Sequence, residues 1–416
     1  MKISTVKGTN DYKPQEVRLR DYLQSKIIEI YTNSGFEHII TPVIEDIENL
    51  DKSEGGENLN LIFKILKRGD KLSKALENGD ADKLSDMGLR YDLTLPLSRY
   101  YANNQADLIL PFKTIQVDRV YRAERPQKGR LREFIQCDID IIGSKSNNCE
   151  IELIATTAKA LLAINIGSFK VKVNDRKVLK AVLGNMGFEE NELDSVCIVF
   201  DKLDKIGKDG VCSELKEKGF ADDAISKFAD FISKENITLD DVESFVDDES
   251  KEYIKGLKFI IDSSREIAKD KYEVVFDISL VRGQGYYTGT IFEVESTKFR
   301  GAIAGGGRYD NLIGKFTNSD IPAVGFSIGF ERIFSILNEQ GYEPSDTTKR
   351  VAVFYNQDEY TKAYEFADKI RETYNVTLLE RPKKLGKYLD KLEKQNFYGY
   401  NVYGESEEIK LLNSKE

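Results

Sequence analysis

Phe134-Ile135-Gln136-Cys137-Asp138-Ile139-Asp140-Ile141 is the stretch on which the fold turns. Ile135, Cys137, Ile139 and Ile141 alternate with Phe134, Gln136, Asp138 and Asp140. A period of two belongs to a β-strand, so one face is apolar and the other carries an aromatic ring, an amide and two carboxylates. The polar face has two readings: it faces water, as alternating strands commonly do, or it lines a site. Upstream, strand-like sequence from Phe112 predicts that this strand returns from a partner in a long hairpin ending near Gly143.

Outward from the hairpin, Leu19, Leu23, Ile27 and Tyr31 share one face of an opening helix that Gly35 is placed to end. A short strand is expected at His38 to Thr41, stopped by Pro42, and Lys71 to Asp86 reads as a surface insertion. From Val171 to Lys269 the chain reads mainly as helices, and glycine-rich strands resume at Tyr272 to Val294 and Gly301 to Tyr309. A helix after Gly329 should bury Phe330, Ile333, Phe334 and Leu337. The last segment alternates Val351 to Tyr355 (strand), Tyr360 to Thr373 (helix), Val376 to Leu379 (strand), a basic helix and a final strand, the order of a small α/β domain.

Composition narrows the chemistry. With 416 residues, 40% hydrophobic and 32% charged, the chain belongs with globular proteins of two or three domains. No apolar run reaches the roughly 20 residues of a membrane span, and the start, Met-Lys-Ile-Ser-Thr-Val-Lys-Gly, has no signal-peptide core, so a cytoplasmic location without membrane attachment is expected. Cys137, Cys149, Cys197 and Cys212 show no CxxC spacing, which suggests neither a zinc knuckle nor a redox pair. His38 is the single histidine, which excludes clustered histidine metal sites. The net charge of −10 argues against indiscriminate nucleic-acid binding but leaves room for local basic patches, at Arg119 to Arg132 and from Arg381 to Lys394.

Four separated segments carry arginines suited to an anion. In Tyr121-Arg-Ala-Glu-Arg-Pro-Gln-Lys-Gly-Arg-Leu-Arg-Glu-Phe134, Arg122 and Glu124 stand two apart and, on a strand, would face the same way. Arg offers a donor fork to phosphate, a carboxylate can hold a metal or an amine, and Phe134 can stack on a base; a solvated salt-bridge lattice is the other reading. Arg282 lies among glycines in Leu280 to Gly289. Gly305-Gly306-Gly307 precedes Arg308 and Tyr309, either as a flexible turn or as backbone that a ligand approaches, and no GK[ST] follows to make a P-loop. Arg332 sits in the first turn of its helix, where a cation opposes the dipole unless an anion compensates it; pairing with Glu331 is the alternative.

Together these segments resemble class II aminoacyl-tRNA synthetases and, within them, the histidyl-tRNA synthetase family. The Arg122 hairpin resembles the second class motif, Gly325 to Arg332 the third, and Gly35 to Pro42 the first, which lies at the dimer interface in that class. Family-specific likeness is carried by Lys7 to Asp11, Leu89 to Thr94, Phe200 to Gly207, Leu280 to Phe292 and Ala304 to Asp310. The resemblance implies an α+β fold, with an antiparallel class II sheet flanked by helices. It implies a catalytic domain in two parts (1–168 and 270–338), a mainly helical inserted domain (169–269) and a C-terminal α/β anticodon-binding domain (349–416).

The activity implied is attack of the L-histidine carboxylate on ATP to give histidyl-adenylate, then transfer to tRNA(His) by a homodimer. By resemblance, Arg122 and Arg282 hold the α-phosphate, Arg332 grips the β- and γ-phosphates, and Arg130 also meets ATP. Glu124 orients ATP with Mg2+, and Phe134 stacks on adenine. Asp92, Thr94 and Gln136 match positions for the α-amino group, Asp140, Tyr287 and Tyr309 match the imidazole pocket, and Arg282 also touches histidine. Gln127, Lys128 and Arg130 would meet the tRNA acceptor end. Three departures stand out: Gly285 where the family has aspartate, the long connection from Asp70 to Leu89, and a C-terminal domain that reads as shortened. A rival expectation is a non-catalytic relative, a histidine-binding regulatory subunit of ATP phosphoribosyltransferase, for which three phosphate-gripping arginines serve no purpose.

Overall fold

The computed structural model describes residues 3–52, 60–79, 81–126, 130–234, 236–281, 286–297, 301–317, 319–344 and 348–412. Two compact units emerge, one of residues 1–11 and 20–340, the other of 12–19 and 341–416.

The strands of the first unit are, in chain order, β1 (Glu37–His38), β2 (Ile44–Asp46), β3 (Phe63–Leu66), β4 (Ser85–Leu89), β5 (Phe112–Tyr121), β6 (Glu133–Ile142), β7 (Phe169–Asp175), β8 (Glu273–Phe276), β9 (Thr290–Ser296), β10 (Ala302–Arg308) and β11 (Ala323–Gly329). Eight of them form one sheet in the order β1-β5-β6-β11-β10-β9-β7-β8. Its interior is antiparallel throughout, and only the edge pairs β1 with β5 and β7 with β8 run parallel. β6 shows the predicted alternation: Ile135, Cys137, Ile139 and Ile141 are buried. Helices Asn148–Ala163 and Phe330–Glu339 pack on the sheet. The opening helix, Pro14–Asn33, buries Leu23, Ile27 and Tyr31, and Gly35 follows it at φ +86, a backbone angle that glycine adopts without strain.

Several expectations need adjusting. β1 covers only Glu37 and His38, and His38 is exposed. β5 ends at Tyr121, so Arg122 and Glu124 are not on the strand: the Ala123 N–H leaves the hairpin ladder and donates to Leu61 O at 2.8 Å. Gly305-Gly306-Gly307 is not a turn but the middle of β10. The connection containing Lys71 to Asp86 forms helix Asp70–Glu77 and strand β4 of a small antiparallel sheet, β2-β4-β3. Fully buried Arg90, just after β4, ties this sheet to the first-motif segment and the hairpin: Nη1 donates to Thr41 O at 2.7 Å, Nε to Arg119 O at 2.9 Å, and Nη2 pairs with Asp118 at 2.6 Å.

Between β7 and β8 the chain is helical: Arg176–Met186, Leu193–Phe200, Leu203–Glu217, Asp222–Phe231, Leu239–Glu243 and Lys251–Ala268. Phe188, Phe200 and Phe228 pack edge to face, Phe200 and Phe228 with centroids 5.1 Å apart. In the second unit β12 (Arg350–Tyr355), β13 (Asn375–Glu380), β14 (Gly399–Val402) and β15 (Lys410–Leu411) form a sheet in the order β13-β12-β14-β15. Helices Tyr360–Ile370 and Leu385–Glu393 alternate with its parallel strands, and β15 adds an antiparallel edge beyond the expected pattern. Lys383, Lys384, Lys387, Lys391 and Lys394 are exposed there.

One buried ion pair braces the large sheet. Arg308 at the end of β10 donates from Nε and Nη2 to both carboxylate oxygens of Glu150, at 2.6 and 2.8 Å, and Glu150 has no exposed surface. Breaking such a pair strands a buried guanidinium and costs about 3–5 kcal/mol. Glu150→Ala should lower the stability of the first unit by about that amount in urea unfolding; an unchanged midpoint would show that the pair bears none of it.

Candidate functional site

Three strands build the floor of a cleft of about 370 Å³ on the polar face of the large sheet. β6 supplies Phe134, Gln136, Asp138 and Asp140, all two residues apart and so on one face. β10 and β11 supply mostly glycine backbone. A Cβ at Gly306 would lie 2.0 Å from Gly325 O, and a Cβ at Gly325 would lie 1.9 Å from Asp140 Oδ1. Any side chain at either position displaces a neighbouring strand or the carboxylate itself.

Along β6 the cleft changes character, from Phe134 with Arg122 against its ring to Asp140 with Tyr309 bonded to it. At one end are Arg122, Glu124, Arg130, Phe134 and Arg332. The Arg122 guanidinium lies 5.0 Å from the Phe134 ring centroid and is aimed by a 3.0 Å bond from Nε to Tyr91 O. Arg332 donates to Ala302 O on β10. Glu331 is held by Arg20, whose Nη1 and Nη2 reach its two oxygens at 2.6 and 2.7 Å, and it also accepts from Ile135 N at 3.2 Å. Glu331 thereby docks the opening helix against the third-motif helix. Glu124 pairs with Arg130 at 3.3 Å.

Further along β6 are Asp138 and Asp140, joined in the lining by Asp92, Thr94, Tyr286, Tyr287 and Tyr309, and the Arg122 charge reaches as far as Asp92 and Asp138. Tyr309 OH donates to Asp140 Oδ1 at 2.6 Å, and Tyr286 packs 4.8 Å from Tyr287 and 6.1 Å from Tyr309. Asp92 Oδ1 accepts from Leu95 N at 3.1 Å, at the start of helix Thr94–Asn104, and Gln136 Nε2 donates to Ser327 Oγ at 3.2 Å. Three buried acceptors here have no hydrogen-bond partner among the described residues: Asp92 Oδ2, Gln136 Oε1 and Asp138 Oδ1. Buried polar atoms are seldom left so, and a set of acceptors calls for a ligand that donates.

Charge makes the same demand. Burial raises the pKa of Asp92; burial and then the neighbouring Asp140 raise Asp138 well above the carboxylate range; burial raises Asp140 to about 7 against the hydrogen bond from Tyr309. Carboxylates crowded away from water are destabilised as anions, and a cationic ligand relieves them.

Arg122 and Arg332, from distant parts of the sequence, thus open onto one cleft with Glu124, Arg130, Phe134, Asp92, Thr94, Gln136, Asp140, Tyr287 and Tyr309. Arg282, Gly285, Gln127 and Lys128 lie outside the described residues. Sequence reasoning gave no role to Asp138, although it occupies the face already singled out, between Gln136 and Asp140. For Glu331 it offered only a pair with its neighbour Arg332 as one of two alternatives, and the contact with Arg20 across 311 positions left no local signal.

The Asp140 shift fixes the sign of a stability change. Between about pH 4 and pH 7 the unfolded chain has lost a proton that folded Asp140 keeps, so stability falls as pH rises through this window. Asp140→Asn removes that penalty while Asp92, Asp138 and Tyr309 remain. Its melting temperature relative to the parent should be more favourable at pH 8 than at pH 4. A difference independent of pH would contradict the assignment.

A family model described as histidyl-tRNA synthetase matches residues 8–333. A histidine--tRNA ligase of Leifsonia xyli is 40% identical over 350 residues, 80% of each chain. The histidine--tRNA ligase of Cytophaga hutchinsonii is 35% identical over 423 residues, 98% of this chain and 93% of that one. Among solved structures, histidyl-tRNA synthetase from Nostoc sp. PCC 7120 superposes with a TM-score of 0.79 at 29% identity, covering 96% of this chain and 91% of its own. An ATP phosphoribosyltransferase regulatory subunit/histidyl-tRNA synthetase from Bacillus halodurans C reaches 0.78 at 20% identity, over 97% and 98%, which establishes likeness of fold alone. With the family model spanning most of the sequence and relatives this similar over nearly its full length, the chain belongs to the histidyl-tRNA synthetase family.

Proposed function

We propose that this chain activates L-histidine with ATP, forming histidyl-adenylate and pyrophosphate, and transfers the histidyl group to the 3′ end of tRNA(His). The observation that carries the reading is the polarity of the cleft: arginines and an aromatic ring at one end, buried acceptors at the other. ATP brings anionic oxygens and a stacking base to the first. Histidine brings an ammonium group and a ring N–H to the second.

In the first step a histidine carboxylate oxygen attacks the α-phosphorus, and the bond to the pyrophosphate oxygen breaks. Charge shifts among phosphate oxygens, so preorganised cations and positioning supply the catalysis. Arg122 and Arg282 hold the α-phosphate, Arg332 the β- and γ-phosphates, Phe134 stacks on adenine, and Arg130 adds a contact to ATP. Arg282 also reaches the histidine carboxylate. Glu124 fits a magnesium ion carried in with ATP, because that ion takes one or two protein carboxylates beside phosphate oxygens. Once bound, the ion screens phosphate charge. Asp92, Thr94 and Gln136 take the α-amino group, and Asp140, Tyr287 and Tyr309 take the imidazole. A pocket that hydrogen-bonds both ring nitrogens rejects analogues lacking them.

For transfer, Gln127, Lys128 and Arg130 meet the acceptor end, and the exposed lysines of the 349–416 domain meet the anticodon region, both with salt-dependent affinity. Residues 169–269 are an inserted domain within a catalytic domain of 1–168 and 270–338. The Gly35 to Pro42 segment lies at the interface of a homodimer. The setting is the cytoplasm; no helix among the described residues is long and apolar enough to cross a membrane.

Histidine-dependent exchange of labelled pyrophosphate into ATP tests this directly. The purified chain should support exchange with histidine, and none in folded protein would favour the regulatory-subunit reading. Arg282→Ala should slow exchange by about 10²-fold or more with the fold intact; full activity would remove Arg282 from the phosphate clamp.

A further inference from the structure

Asp138 is a cleft carboxylate to which this reading gives no role; unlike Glu331, which Arg20 holds, it pairs with no cation among the described residues, and it is 5% exposed. It stands on β6 between Gln136 and Asp140, opposite Ser327 on β11. Ser327 lies beside both neighbours: its Oγ accepts from Gln136 Nε2 at 3.2 Å, and its place opposite Asp138 on the paired strand sets it next to that carboxylate. With its amide nitrogen so engaged, Gln136 presents Oε1 to the cleft. With one oxygen near Ser327, Asp138 is left with Oδ1 unpartnered among the described residues. On the other wall Leu95 N occupies Asp92 Oδ1 and leaves Oδ2 in the same condition. Asp140, by contrast, already accepts from Tyr309 OH at 2.6 Å.

Resting on the histidine-activation reading, we infer that Asp138 is an ammonium-positioning residue. Together with Asp92 and Gln136 it forms a cradle of three acceptors, each taking one N–H of the substrate's α-ammonium, so that Thr94 borders this group without taking one of its three N–H bonds. The count is the first argument: an alkylammonium has three donors and no acceptor, and the buried acceptors awaiting a donor in this cleft are Asp92 Oδ2, Gln136 Oε1 and Asp138 Oδ1. Charge is the second. Asp92 and Asp138 confront one another with Arg122 as the cation acting on both, so an amine entering between them meets two carboxylates already stripped of water. The cradle orients as well as binds. Fixing all three N–H directions sets the rotation of the α-carbon, and with it the direction in which the carboxylate faces the arginine end.

The inference separates amine recognition from ring recognition. L-Histidinol retains the ammonium and the imidazole; 3-(imidazol-4-yl)propan-1-ol retains only the imidazole. Both are measured as competitors of histidine in ATP–pyrophosphate exchange by the full chain and by Asp138→Asn. The expected result is a rise of about 10-fold or more in the inhibition constant of histidinol, as for loss of a charge-assisted hydrogen bond, with the deaminated compound changing less than about twofold. KM for histidine rises while KM for ATP stays. Equal weakening of both compounds would mean that Asp138 only shapes the pocket, and no change in either would remove it from recognition; each overturns the proposal. Should Asp138→Asn not fold, Ser327→Ala provides the second variant, with the same selective loss for histidinol expected and an unselective one contradicting it. If the parent shows no exchange, the activation reading fails by itself, and calorimetric titration of parent and variant with the two compounds still decides on the cradle.

Discussion

The cleft exists because side chains are missing at two crossing points of the central sheet. Gly306 and Gly325 let β10 and β11 run past each other and past Asp140 at distances that no Cβ permits. Polar groups on β6 then look onto bare backbone and not onto a packed side-chain layer. The apolar residues of the same strand are buried beneath, with Cys137, Ile139 and Ile141 wholly covered. One strand therefore does two tasks through its pleat: Ile135, Cys137, Ile139 and Ile141 pack into the fold, and Phe134, Gln136, Asp138 and Asp140 line the cleft.

Electrostatics follows from that geometry. Carboxylates set over a glycine floor are cut off from water, and burial raises their pKa accordingly, so that they hold their protons more tightly. A buried acceptor without a donor costs about 1–3 kcal/mol. The surrounding sheet holds these groups in place against that cost. Arg308 clamped on Glu150, Arg90 on three backbone and side-chain partners, and Arg20 on Glu331 stiffen the unit that carries the cleft. These three arginines serve the fold, whereas Arg122 and Arg332 face the cleft.

Legibility in the sequence follows the range of the forces. The alternation in β6, the face of the opening helix and the α/β order of the last unit are periodic signals within single elements, and they are read directly. The cleft residues were legible because β6 and the arginine segments carry their chemistry in short motifs. What escaped depends on distant partners. Three consecutive glycines suit a turn as well as a strand until the strands beside them are known. Arg122 and Glu124 fit a strand by spacing, but the bond from Ala123 to Leu61 takes the chain off the ladder. Glu331 prefers Arg20, 311 positions away, and no local pattern encodes that choice. Asp138 was visible on the right face, yet the lack of a donor to its Oδ1 among the described residues appears only when Ser327 and Asp92 are in view.

The central claim is that one cleft binds the two substrates in a fixed polarity. A crystal structure of the chain with a non-hydrolysable histidyl-adenylate analogue measures it most directly. The account predicts the phosphate against the Arg122 side, adenine over Phe134, and the imidazole against Asp140 and Tyr309. An analogue seated the other way round, or bound outside the sheet's polar face, would contradict it.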